Sequence, residues 1–176
     1  MLTEKEKQHV RAVLGDLLSD PLVLEMKNYI QHGDVTTYDH CLSVAYRCYE
    51  IVLRRGYRVR EEELLRAAML HDFYLYDWHT VGDGSHRLHG FRHARRAAEN
   101  AVRYLGVSAR EGAAIDSHMW PLNPGRFPRT KEGWILTLAD KEVSLFETLA
   151  GKRAEREKRK RKKPVPAAVP ARKIQK

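Results

Sequence analysis

The sequence is poor in cysteine. Its 176 residues include two, Cys41 and Cys48. Both fall on one predicted helix, seven positions apart, so their Cα atoms should lie roughly 10 Å from each other, beyond the reach of a disulfide. Without a Cys-x-x-Cys pair, a structural zinc site built on cysteines is also excluded. We therefore expect two small core residues in a cytoplasmic protein.

Long apolar runs and strand patterns are missing as well. No apolar run approaches the roughly 20 residues that a membrane-spanning helix needs, and the amino terminus is charged rather than signal-like. No segment shows the convincing alternation of apolar and polar residues that is typical of a strand. These absences predict an all-α protein with no membrane association.

Positive charge is concentrated at one end of the chain, although the net charge is +9. Residues 151–176 hold 12 Lys/Arg against 2 Asp/Glu, a balance of +10, whereas residues 1–150 hold 20 against 21. We therefore predict a domain over residues 1–150 and a basic, Pro/Ala-containing disordered tail over 151–176. Residues 152–163 are a candidate contact for RNA or another polyanion, and a solvated tail without a partner is the alternative.

Helical signals fill residues 1–150. Thr3 and Ser108 open capping boxes, Asp20 is an N-cap followed by proline, and Gly56 ends the third helix. That helix is apolar on most of its surface, so we place it at the centre of a bundle of about six to seven helices. The predicted helices cover about 4–18, 22–30, 36–55, 61–70, 87–105, 108–118 and 131–149, with loops at 76–85 and 121–128.

Histidine and aspartate residues recur at the ends and on the apolar faces of these helices. A buried imidazole or carboxylate is costly unless a partner pairs with it, and a bundle builds a metal site from side chains on facing helices. A mixed His/Asp shell suits a divalent transition metal such as Mn²⁺, Fe²⁺ or Zn²⁺. The candidate ligands are His40, His71, Asp72, His93, His118 and Asp140.

Each candidate also has a simpler explanation. His40 could be a polar residue at a helix start, and the His71-Asp72 pair could be an ordinary helix cap. Asp140 could pair with an arginine such as Arg96, and the two remaining histidines of the set could be hydrogen-bonded core residues. Three further histidines are expected on the surface or in loops: His9, His32 and His86.

The order His40, His71-Asp72, Asp140, all on helices, resembles the HD-domain superfamily of metal-dependent phosphohydrolases over about Thr36–Leu149. The stretches HDFYLYDWH, HGFRHARRAAENA, HMWPLNP and LADKEVSLFE resemble a bacterial group of HD hydrolases of unassigned substrate. The resemblance implies an HD-domain helical bundle that hydrolyses a phosphate ester, most readily a nucleotide-like one, through a metal-activated water. It also implies that these four residues hold one ion.

His93 and His118 resemble the additional histidines that hold a second ion in HD-GYP phosphodiesterases and in a diadenosine tetraphosphate hydrolase branch. Asp72 would then bridge the two ions. The chain departs from the HD-GYP type after the His-Asp pair, where it has Phe73-Tyr74-Leu75-Tyr76 in place of Ile-Gly-Lys. This departure argues against a cyclic-dinucleotide substrate.

Catalytic roles beyond metal binding are predicted for residues near the fifth helix. His89, one turn before His93, is a candidate proton donor or substrate contact, with an ordinary polar surface role as the alternative. Arg92, which lies beside His93 in the sequence, is a candidate phosphate ligand. Asp72, as the bridging ligand, completes the catalytic set. Arg95 and Arg96 are alternatives to Arg92, and we expect a solvated face for at least two of the three arginines. Asp77 and His79 could line the mouth of the metal site or make turn contacts. Four aromatic residues could stack on a base or serve core packing: Tyr74, Tyr76, Trp78 and Trp120.

Two other classes of protein remain open from the sequence. A catalytically silent regulatory module could keep a metal-bound HD shell, and a nucleic-acid-associated protein could act through its basic tail. Hydrolysis by a metal-loaded sample separates the first from an enzyme, and truncation of the tail tests the second.

Overall fold

A computed structural model describes residues 1–76 and 89–161 of the chain, without the side chains of His32, His89 and residues 158–161. Several predicted features lie outside the described residues: the loop after Tyr76 with Asp77, Trp78, His79 and His86, and residues 162–176. In the described part, no helix is both long enough and apolar enough to cross a membrane.

Helices dominate the architecture, and the all-α prediction is confirmed. There are seven α-helices among the described residues: α1 (Glu4–Leu14), α2 (Pro21–Leu24), α3 (Thr37–Arg55), α4 (Glu61–Leu70), α5 (His89–Leu105), α6 (Ala109–Ser117) and α7 (Lys131–Arg161). The predicted capping boxes are present at Thr3 and Ser108. Gly56 ends α3 in a left-handed conformation with φ +60°, which glycine adopts without a steric penalty.

Helix α3 lies at the centre of the bundle, as its apolar surface predicts. It packs mainly against α4 and α7, while α6 packs on α4, α5 and α7. Eleven of the residues in α3 are buried, and the core extends from them into α4 and the first half of α7. The start of α3, the end of α4 and the first half of α7 are thereby brought together.

The helix predicted over residues 22–30 is wrong beyond its first turn. Helix α2 gives way to a 3₁₀ turn over Glu25–Asn28, and β1 (Ile30–His32) then pairs antiparallel with β2 (Val35–Thr36). Gly33 has a φ of +61°, which allows the tight turn between the strands. The hairpin contacts α3 and α7, so packing against the bundle overrides the local helix signal.

Helix α7 is longer than predicted. It was expected to end near Leu149 and to be followed by a disordered segment, but it continues to Arg161. Lys, Arg and Glu are good helix formers, and adding residues to an existing helix avoids the cost of starting one. The side chains of residues 152–157 are exposed. The predicted end of this helix near Leu149 is therefore wrong, whereas a basic tail separate from the domain over 1–150 stays a prediction.

Candidate metal centre

Five helices contribute the six predicted ligands, and the structure brings all six together. His40 lies near the start of α3, His71 and Asp72 directly follow α4, and Asp140 lies in α7. His93 belongs to α5, and His118 is the C-cap residue of α6. All six are buried, with relative exposures of 8% or less. The last carbonyls of α4 and α6 lack intrahelical partners, so they can accept hydrogen bonds from the histidines that follow.

His40, His71 and Asp140 form what we call the inner group. The Nε2 atoms of His40 and His71 lie 3.3 and 3.6 Å from Asp140 Oδ1. The same two nitrogens lie 3.9 and 3.5 Å from Asp72 Oδ2. Ligands held about 2.0–2.2 Å from one ion must lie roughly 3.0–3.5 Å from each other. These four atoms therefore have a spacing close to that of a single metal shell.

Asp72, His93 and His118 form the outer group. The two histidine Nε2 atoms lie 3.1 Å apart, and Asp72 Oδ1 is 3.4 Å from His93 Nε2 and 3.7 Å from His118 Nε2. Asp72 therefore directs Oδ1 at the outer group and Oδ2 at the inner group. One carboxylate faces both sets of nitrogens.

Backbone carbonyls determine which nitrogen of two histidines faces the site. His71 Nδ1 donates to the Ala68 carbonyl at 2.8 Å, and His118 Nδ1 donates to the Ile115 carbonyl at 2.7 Å. Because a carbonyl oxygen only accepts, each Nδ1 carries the proton and the neutral ring presents a lone pair at Nε2. This is the arrangement in which histidine binds a metal ion.

Two buried atoms of the site lack a hydrogen-bond partner among the described residues, namely His71 Nε2 and Asp72 Oδ1. A buried polar atom without a partner costs roughly 1–3 kcal/mol, and a cation between the histidines and the carboxylates would satisfy both atoms. In each of two sets of residues, every ligand atom lies within 4.8 Å of the others in its set. The sets are His40, His71 and Asp140, and His71, Asp72 and His118. Histidine nitrogens with carboxylate oxygens suit a divalent transition metal, so these groups could hold one.

The electrostatics of the site favour positive charge. Burial raises the pKa of Asp72, but the surrounding histidines, led by His71 and His93, outweigh burial and lower it to about 2. Burial lowers the pKa of His40, but hydrogen bonds with Asp140 and Glu147 reverse this effect and raise it to about 10. The carboxylates therefore remain ionised at neutral pH and stabilise a cation beside them.

Residues absent from the predicted set support the ligands. Gln31 Nε2 donates to Asp72 Oδ2 at 2.5 Å, and the Tyr74 hydroxyl donates to Gln31 Oε1 at 2.6 Å. Glu147 Oε2 lies 2.8 Å from His40 Nδ1. Glu147 follows Asp140 by two helical turns and shares its face of α7, a signal that the sequence contains. Gln31 comes from the unpredicted hairpin and has no such signal.

A cavity of about 640 Å³ opens beside the outer group. Asp72, His93, His118 and Asp140 contribute to its wall, together with Lys141, whose Nζ donates to the His118 carbonyl at 3.0 Å. His40 and His71 are fully buried behind this wall. A molecule in the cavity would therefore meet the outer group first.

The arginines predicted to bind phosphate are not in this wall. Arg92 is exposed on α5, Arg95 pairs with Glu99 at 2.7 Å, and the Arg96 guanidinium lies 5.6 Å from the centre of the Tyr76 ring. Arg96 is thus engaged elsewhere, while Asp140 contacts the inner histidines and accepts a hydrogen bond from Ser144 at 3.1 Å.

The remaining predicted residues have varied surroundings. His9 pairs with Glu61 at 2.6 Å on the surface, as expected for a histidine outside the site. Tyr74 is buried and packs against half-buried Tyr76 with the rings tilted by 50° and their centres 4.9 Å apart. Trp120 belongs to an aromatic cluster. His89 begins α5, and its side chain is outside the described part.

Comparison with known proteins agrees with this geometry. The chain matches the family model described as HD domain over residues 37–144, which runs from the start of α3 to just beyond Asp140. No curated protein and no solved structure matched in the corresponding comparisons. The matched region spans more than half of the chain and contains all six residues of the two groups. The chain therefore belongs to the HD-domain family, a superfamily of metal-dependent phosphohydrolases.

Proposed function

We propose that the protein hydrolyses a phosphate ester, with a nucleotide-like substrate, at a centre of two divalent ions. The observation that carries this proposal is the position of Asp72, whose two oxygens face different histidine pairs. A carboxylate in that position is the bridging ligand that a two-ion site needs. Iron, manganese and zinc all suit the ligand set.

In this proposal, the inner group and Asp72 would hold one ion, and His93, His118 and Asp72 would hold the other. Divalent ions bound there lower the pKa of a water molecule and neutralise the charge on phosphate oxygens. The buried carboxylates and the histidine rings would supply the ligand atoms, and a ring that carries two protons, such as His40, would release one as the ion binds.

The chain's own residues then orient the ligands and the substrate. Gln31, itself held by Tyr74, fixes the plane of the Asp72 carboxylate, and Glu147 fixes the His40 ring. Lys141 brings a cation to the cavity wall, where it is placed to contact a substrate phosphate. We assign Lys141 this role in preference to Arg92, because Arg92 is exposed outside the wall.

We still predict that His89 donates the proton to the leaving oxygen. It precedes His93 by four residues on the same helix, so the two residues share one face of α5. Hydrolysis that persists in His89→Gln with an unchanged pH profile would contradict this role.

The proposal is tested with full-length protein loaded in turn with Mn²⁺, Fe²⁺ and Zn²⁺ and supplied with phosphomonoesters and phosphodiesters. We expect hydrolysis with at least one metal, and loss of it in Asp72→Asn, which keeps the side-chain shape and removes the charge. His9→Gln is the matched control, since His9 lies on the surface. Bound metal without turnover of any ester would instead support a silent regulatory module.

The basic end of α7 favours a second, separate proposal, contact with RNA or another polyanion through residues 152–163. Lys152, Arg153 and Arg156 are exposed on this helix. Arg153 Nε lies 3.6 Å from Glu157 Oε1, so the Glu157 carboxylate compensates part of the positive charge of Arg153. Replacing the three cations by glutamine should weaken RNA binding. It should also make the slope of log affinity against log salt concentration shallower, by the amount that corresponds to about two to three phosphate contacts. Unchanged binding would remove this proposal.

A further inference from the structure

A second cavity adjoins the one at the outer group. Its volume is about 410 Å³, and it lies between the end of α3 and the first half of α7. Pro121 and Lys141 line both cavities. The second cavity thus lies next to the place where the proposed function puts a phosphate. We call it the aromatic cavity, because Tyr57, Trp120 and Trp134 line it; Thr137 lies in the same wall.

Aromatic rings form much of its wall. The Trp120 and Trp134 rings meet edge to face, with centres 5.0 Å apart, and Phe127 supports both from outside the cavity, at 5.7 and 5.1 Å. Trp134 remains 39% exposed and Tyr57 46% exposed. Large aromatic side chains left accessible in a concave surface are well suited to stack on a planar ligand.

Polar groups in the same wall distinguish this cavity from a purely apolar groove. Thr137 is 4% exposed, and its hydroxyl is buried without a hydrogen-bond partner among the described residues. Arg55 contributes a cation to the wall, and Lys141 contributes another at the border with the metal-site cavity. An alkyl chain would leave the Thr137 hydroxyl unsatisfied, whereas a planar ring with nitrogen or oxygen atoms could pair with the hydroxyl and stack on the indoles.

We propose that the aromatic cavity binds the planar aromatic part of a phosphate ester, such as a nucleobase, while its phosphate lies at the outer group beside Lys141. This inference rests on the proposed function and adds the part of the substrate that the metal centre does not touch. A volume of about 410 Å³ falls within the roughly 300–1,000 Å³ of small-molecule sites. The aromatic cavity would therefore select esters with a ring over esters of the same phosphate without one.

Two compounds isolate the contribution of the ring. Adenosine 5′-monophosphate and ribose 5-phosphate carry the same phosphate on the same primary oxygen and differ by the base. Calorimetric titration of each into the metal-loaded, full-length protein should show the nucleotide binding about tenfold more tightly, which is the scale of base stacking on aromatic side chains. If hydrolysis occurs, kcat/KM should show the same preference.

Variants of the wall test which residues carry the preference. Trp134→Ala should reduce the tenfold ratio to near one, and Trp134→Phe should retain most of it because a ring remains. Thr137→Val, which keeps the shape and removes the hydroxyl, should reduce the ratio a few-fold. Tyr104→Ala is the matched control, since Tyr104 is an aromatic residue of α5 with 48% exposure outside both cavities.

The outcomes separate this inference from the proposed function. Equal affinity for the two compounds in the unaltered protein, or a preference that survives Trp134→Ala, would overturn the aromatic cavity as a binding site and leave phosphate-ester hydrolysis intact. Failure of the metal-loaded protein to bind or hydrolyse either compound or any other phosphate ester would overturn the proposed function, and this inference with it. Should Trp134→Ala fail to fold, the Trp134→Phe and Thr137→Val ratios decide.

Discussion

The inner and outer groups both contact the Asp72 carboxylate but occupy different surroundings. His40 and His71 of the inner group are fully enclosed by the core of α3, α4 and α7, and Glu147 holds His40 from behind. His93 and His118 of the outer group come from α5 and α6 and border the open cavity. The two inner histidines are therefore part of the packing of the bundle, whereas the outer histidines, together with Asp140, face the space that a substrate can enter. A change in the inner group should affect folding as well as chemistry.

The largest effect is expected where the two groups meet. Asp72→Asn removes the charge that both groups face, so we expect metal content near zero and hydrolysis below detection. Metal analysis of purified protein together with turnover measures both quantities. Asp16→Asn, which alters an exposed aspartate, should behave like the unaltered protein. Full metal content in Asp72→Asn would show that the groups act independently of this carboxylate.

One substitution in each group tests their difference directly. His40→Ala leaves buried Asp140 and half-buried Glu147 without their shared partner, and such a change costs roughly 3–5 kcal/mol. His93→Ala removes a ring at the cavity wall, so it should lower metal content and activity with a smaller loss of stability. Urea unfolding of both variants gives the two free energies of unfolding. Equal losses would contradict the division into an inner and an outer group.

Smaller effects are expected for the residues that hold the ligands. Glu147→Gln weakens the support of His40, and Gln31→Ala frees one oxygen of Asp72. Supporting residues of this kind typically change metal affinity or activity by about 10- to 100-fold. Competition with a chelator should show both losses, and Gln31→Glu should not restore affinity, because it places a second carboxylate against Asp72.

The smallest effect on the site is expected for an ion pair elsewhere in the bundle. Burial raises the pKa of Glu132, but the hydrogen bond from the Arg60 N–H and the charge of Arg110 outweigh burial and lower it. Because the folded pKa is depressed, the stabilisation by Glu132 is present above the unfolded pKa and is lost as the pH falls through the folded value. Glu132→Gln should therefore cost roughly 1 kcal/mol near pH 7 and almost nothing in strong acid.

Measurements of unfolding against pH check this expectation, with metal content as the second readout. Metal content in Glu132→Gln should equal that of the unaltered protein at pH 7. A loss of metal in this variant would mean that metal content follows the stability of the whole bundle. The difference between the inner and outer groups would then not explain the effects of their substitutions.

The local parts of the fold were predictable because their signals lie within a few residues of their effects. The capping boxes at Thr3 and Ser108 and the stop at Gly56 depend on hydrogen bonds and backbone angles inside one turn. The apolar surface of α3 likewise indicates a central helix before any partner is known. The segment after α2 was mispredicted because the β-hairpin is stabilised by α3 and α7, which lie far away in the chain.

The sequence by itself determined that the chain forms helices, and it contained the six histidine and aspartate residues at positions where helices end or face the core. Tertiary structure alone decided that Asp72 divides its two oxygens between two histidine pairs, that Gln31 reaches it from a hairpin, and that Trp134 and Thr137 border a cavity next to Lys141. Helix caps are local and follow from neighbouring residues. Side-chain convergence depends on the angles at which helices pack, and these are set by the whole core at once.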